Sequence, residues 1–84
     1  MPWNNLTEDY ITLLLSEKKS ILKQFFINGE YLRDRWFPNL LICDKLQEFG
    51  VNNAFNINKI GTAAISKLHN LTTLKLTRAN QGKH

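Results

Sequence analysis

The sequence predicts a mostly α fold: a small helical domain with a helix-turn-helix or winged-helix-like arrangement and one short C-terminal β-strand. Three observations carry this expectation. Apolar residues recur at three- and four-residue steps through residues 10–25, 42–49 and 57–68. Capping and stopping residues frame each of these stretches. Strict alternation of polar and apolar residues occurs only at residues 73–78. The 84 residues fit a single domain, 1–84, whose core is small enough to leave little stability in reserve.

Taken in order, residues 1–5 read as an unstructured lead, and residues 7–37 as an N-terminal helical part. Thr7 is a good N-cap, and Glu8 and Asp9 place carboxylates in the first turn, where the helix dipole favours them. Tyr10, Ile11, Leu14, Ile21, Leu22 and Phe25 then keep helical spacing, as one helix to about Ile27 or as two broken near Ser16. Asn28-Gly29 stops it. A short segment, 30–37, ends at Pro38, because the residue before proline is pushed out of the α region. Residues 39–84 read as a helix-turn-helix plus an incomplete wing. Asn39 caps a helix over 40–49, with Ile42, Leu46 and Phe49 on one face and Gly50 closing it. Asn56 caps a second, over 57–69, with Ile57, Ile60, Ala64, Ile65 and Leu68 on one side. The alternating segment Thr73-Leu74-Lys75-Leu76-Thr77-Arg78 is the strand, and Asn80-Gln81-Gly82 is turn material. No internal repeat is apparent.

Charge is distributed unevenly. The formal net charge is +4, yet all seven acids lie at or before Glu48. After it come only Lys59, Lys67, Lys75, Arg78 and Lys83. An acid-free cationic stretch of this kind suits a polyanion, and the leading expectation is double-stranded DNA. Asn58, Lys59, Thr62 and Ser66 share the outer face of the second helix, where Asn58 has the side chain that pairs bidentately with adenine. Lys67, Lys75, Arg78 and Lys83 are placed to displace counterions from phosphates. These eight residues form the expected DNA-binding set.

The run Trp36, Leu40-Leu41-Ile42-Cys43-Asp44-Lys45-Leu46, Asn58-Lys59-Ile60-Gly61, Lys67-Leu68 and Arg78-Ala79-Asn80-Gln81-Gly82-Lys83 resembles a known module. It is similar to the small winged-helix domain that ends many phage and mobile-element replication proteins of the primase–helicase type. The likeness covers about half of the chain and consists of spacing and residue type. It implies a DNA-binding module, a regulator or replication accessory, and no replicative activity, since no ATPase segment is present. The returning strand of a wing is also missing. The 73–78 strand is therefore expected to pair near Phe55, with another subunit in a homodimer, or with nothing.

The alternative is a small helical protein that binds and inhibits or modulates a larger protein, with Tyr31, Trp36 and Phe37 as its aromatic anchor. Large aromatics beside Pro38 are more often core residues. Catalysis is not expected. His69 and His84 are the only histidines, and no phosphate loop or metal-ligand spacing occurs, so no cofactor and no metal are expected. Cys43 excludes an internal disulfide by being alone, and its apolar setting makes it a core residue. No apolar run approaches the roughly 20 residues of a membrane span, which sets the expectation of a cytoplasmic protein without membrane contact.

Overall fold

A computed structural model describes residues 8–30 and 32–78. The element order is α1 (Glu8–Lys18), β1 (Gln24–Asn28), a 3-10 segment η1 (Asp34–Ile42), β2 (Glu48–Asn52), α2 (Lys59–Ser66) and β3 (Thr73–Leu76). The strands form one parallel sheet in the order β1-β2-β3. The domain is therefore α/β, and the expectation of a mostly helical winged-helix arrangement is overturned.

The sheet is built by repetition. Phe25 pairs with Phe49 and Phe49 with Leu74; Ile27 pairs with Val51 and Val51 with Leu76. Successive rungs are thus offset by 24 and then 25 residues. The entry into each rung repeats as well. The Lys23 carbonyl accepts the N–H groups of Gln47 and Glu48, and the Gln47 carbonyl accepts those of Thr72 and Thr73. Leu22, Leu46 and Leu71 each precede the first core residue of a strand by three positions. Asn53 and Arg78, each two residues beyond the last pair between β2 and β3, take positive φ of 56° and 52°. The chain is a short solenoid of strand–turn–helix rungs, and an internal repeat does exist.

One face of the sheet builds the core. Phe25, Ile27, Phe49 and Val51 are buried together with Ile11 and Leu15 of α1, Trp36, Phe37 and Leu40 of η1, and Ala64 and Ile65 of α2. The Phe25 and Phe49 rings stack with centroids 6.1 Å apart. Trp36 meets Phe37 edge-on, and its indole Nε1 donates to Thr12 Oγ1 at 2.9 Å, tying α1 to η1.

η1 and α2 are each held at the start by a carboxylate from the helical segment before. Glu8, the first residue of α1, accepts the Arg33 N–H at 2.7 Å just ahead of η1. Asp34, the first residue of η1, accepts three N–H groups at the start of α2. Its Oδ1 takes those of Asn58 at 2.6 Å and Gly61 at 2.7 Å, and its Oδ2 takes that of Ile60 at 3.0 Å. A helix N-terminus carries partial positive charge and unmatched donors, so a carboxylate there is strongly favoured. Gly61 leaves room for it, since a Cβ would sit 2.7 Å from Asp34 Oδ1.

Several expected elements change type for this reason. The expected helix to Ile27 ends at Lys18, and its second half becomes β1. The expected helix over 40–49 is replaced by η1, which contains Pro38 rather than ending at it, and by β2. Asn39 does not cap; its Nδ2 donates to the Trp36 carbonyl at 2.7 Å. The second helix is shorter than expected, and Asn56 donates to the Glu30 carbonyl instead of capping it. The strand near residues 73–78 is present and pairs with β2 in parallel; just past its end the Thr77 carbonyl accepts the N–H of Ala54, beside Phe55, at 2.9 Å. The lead, the Thr7 cap and the 80–82 turn lie outside the described residues.

The carboxylate clasp carries a stability prediction. Hydrogen bonds to a charged group contribute about 1.5–3 kcal/mol each and are not additive on one acceptor. Asp34→Ala is expected to cost about 3 kcal/mol in urea unfolding, and Asp34→Asn, which keeps one acceptor oxygen, roughly half of that. Gly61→Ala, which in a solvent-exposed helix gains about 1 kcal/mol, is expected to destabilise here by displacing the carboxylate.

Candidate functional site

The outward face of the sheet follows from the strand alternation. With Phe25, Ile27, Phe49 and Val51 turned into the core, the neighbouring residues point away from it. They form three rows across the rungs: Gln24, Glu48 and Thr73; Phe26, Gly50 and Lys75; Asn28, Asn52 and Thr77. Among the described residues no helix covers this face.

Each row is internally organised. Gln24 Nε2 donates to Glu48 Oε2 at 3.2 Å. Thr77 Oγ1 donates to Asn52 Oδ1 at 2.5 Å and accepts the Asn53 N–H at 3.2 Å. Asn28 Oδ1 accepts the Glu30 N–H at 3.0 Å and Asn53 Nδ2 at 3.5 Å. In the middle row the half-buried Phe26 ring lies against Gly50, where a Cβ would meet Phe26 Cδ1 at 2.5 Å. The missing side chain at Gly50 lets the ring lie down on the sheet. Lys75, exposed, is the next residue in that row.

The expected DNA-binding residues are only partly brought together. Asn58, Lys59, Thr62 and Ser66 are all exposed and line, with Ile57 and Ala63, a shallow concavity of about 420 Å³. The Asn58 N–H is engaged by Asp34, and Ser66 Oγ donates to the Ala63 carbonyl at 2.7 Å. Lys67 lies past the end of α2 in a separate depression of about 220 Å³ with Asp44, Lys45 and His69. Lys75 stands on the outward sheet face, on the side of the sheet away from α2, and Arg78 follows β3. Lys83 lies outside the described residues. The late cations thus face several directions.

Two residues of the expected aromatic anchor, Trp36 and Phe37, are in the core. Trp36 is 3% and Phe37 0% exposed, and Tyr31 lies outside the described residues. Phe26, which the sequence reading passed over, is the half-buried aromatic on the outward side of the sheet. The signal for it was the run Phe25-Phe26-Ile27, in which one apolar residue too many breaks strand alternation.

A third concavity, about 580 Å³, lies between the end of α1 and the start of β1, with Leu14, Ile21, Leu22 and Phe25 inside and Lys18 and Lys23 at the rim. Among the described residues no group of three His, Cys, Asp or Glu side chains is arranged to hold a metal ion, and no helix is long and apolar enough to cross a membrane.

The fold defines a class: a small α/β domain of strand–turn–helix rungs whose parallel sheet has one face that no described helix covers. Comparison with known proteins adds no narrower name, since no protein family, curated protein or solved structure matches the chain.

Cys43 is fully buried, and burial, reinforced by the neighbouring Asp44 charge, pushes its thiol above the usual value of 9.0. The native thiol is therefore expected to resist a disulfide reagent at pH 8 and to react fully in urea. Because the folded pKa is raised, its contribution to stability is complete below pH 9. It declines as the pH rises from there through the folded value, which urea midpoints above and below pH 9 would reveal.

Proposed function

We propose that this chain is a protein-interaction module that binds a partner protein on the outward face of its parallel sheet, through Phe26, Lys75 and the Asn28–Asn52–Thr77 row. The carrying observation is the outward row of Phe26, Gly50 and Lys75, with the Phe26 ring laid over Gly50, on a sheet face that no described helix covers. Parallel sheets are ordinarily covered by helices on both faces. A sheet covered on one face only, with an aromatic and a cation among polar residues on the other, has the composition of an interface. Solenoids in general present such an extended surface to partners. The 24–25-residue period and the leucine three positions before each first core residue also fall within the range of leucine-rich repeats.

Duplex DNA on the outer face of α2 is the second reading. The gathering of Asn58, Lys59, Thr62 and Ser66 around one concavity favours it. Against it stand the eight-residue length of α2 and the dispersion of the other cations. Salt-dependent DNA affinity grows with the number of phosphates neutralised together, and only Lys59 among the described cations lines this face.

The two readings separate by affinity capture from nuclease-treated lysate of the source cells, combined with a low-salt mobility-shift titration on duplex DNA. Phe26→Ala is expected to weaken the captured protein's binding by about thirtyfold, the scale of a 2 kcal/mol hot spot. Gly50→Ala, which lifts the Phe26 ring, is expected to weaken it less, and Lys59→Glu to leave it unchanged. Duplex binding abolished by Lys59→Glu, with no nuclease-resistant partner, would instead establish the DNA reading.

A further inference from the structure

Among the described residues nothing covers the core of the solenoid beyond β3. The first core column runs Phe25, Phe49, Leu74, and the exposures along it are 2%, 0% and 45%. Leu71 and Leu76 of the last rung are only partly buried, whereas Leu46 and Val51 in the same places one rung earlier are each 1% exposed. The backbone is open there too. Thr73 and Thr77 direct their N–H groups at Gln47 and Val51. In a parallel ladder alternate residues face opposite edges, so the N–H and C=O groups of Leu74 and Leu76 point away from β2. Arg78, with φ 52°, repeats the exit that Asn53, with φ 56°, makes from β2.

We propose that this edge is the seat of a further strand–turn–helix unit of the same pattern. Its strand pairs in parallel with β3, and its apolar residues, alternating along the strand, close over Leu74. The occupant is inferred from continuity: the β3 edge offers what β1 offers to β2 and β2 offers to β3, in the same register. A surface formed by the last rung of a stack is complementary to another rung. One step differs from the earlier rungs. Lys59 is the first residue of α2, where α1 has Glu8 and η1 has Asp34, so no carboxylate waits to hold the start of the incoming helical segment. This inference rests on the fold and stands apart from the partner proposed for the outward face.

The test extends the chain. A copy of residues 54–78 is joined after Arg78, in a background carrying Lys59→Asp, and compared with the 84-residue chain carrying the same substitution. The extended protein is expected to unfold in one cooperative urea transition, with a midpoint raised by about 0.5–1 M. Aspartate at the two strand leucines of the appended unit, which leaves the host core intact, is expected to abolish the gain. An unchanged midpoint, or a gain that survives those aspartates, would overturn the proposal. So would a unit-length chain that sediments as a dimer and becomes monomeric with Leu74→Asp, because the seat would then belong to a second copy.

Discussion

The clasp of Asp34 on the first turn of α2 is the constraint on which the rest of the arrangement depends. One carboxylate accepts three backbone N–H groups that the first turn of the short helix leaves without a partner inside the helix. Eight residues are too few for a helix to persist on its own propensity, and this one also contains Gly61. Its placement therefore comes from outside, from a residue 24 to 27 positions earlier. Glu8 acts in the same way at the start of η1, so the rungs are joined on their helical side by carboxylate-to-N–H contacts and on their other side by the strand ladder.

This two-sided joining makes the core a property shared between rungs. Each rung contributes a leucine, two strand residues and two or three helical residues, and the neighbour's contribution completes the burial. Phe25 stacks on Phe49, and Ile27 abuts Val51, so each side chain packs against its equivalent. A rung alone has no inside. That dependence on neighbours accounts for the contrast between the sealed middle rung and the open last one, where Leu74 has lost the covering that Phe49 enjoys.

The sheet's two faces have different duties. Toward the helices the residues are apolar and sealed. Away from them the rows combine amides, hydroxyls, one carboxylate, one aromatic and one cation, with side chains already paired along the row in Gln24–Glu48 and Thr77–Asn52. Such pairing holds polar groups in fixed positions, which lowers the entropy lost when a partner binds. Phe26 over Gly50 is the structural centre of this face: the ring needs the glycine's vacancy, and the glycine gains the ring's cover.

The same pair explains what was legible in the sequence and what was not. Composition and periodicity by themselves determined a helix beginning near Glu8, a helix within residues 57–69, a strand near residues 73–78, and the burial of Trp36, Phe37 and Cys43. The amphipathic outer face of α2 was legible too. β1 and β2 were not, because Phe26 adds an apolar residue on the outward face and Gly50 removes a side chain there, so neither segment alternates. Residues 22–28 and 42–49 then fit helical spacing by default. Only tertiary structure decided between the periods, since a parallel strand gains its stability from partners 24 and 25 residues away. It alone placed Lys67, Lys75 and Arg78 on different sides, because the direction of a side chain depends on the element that carries it.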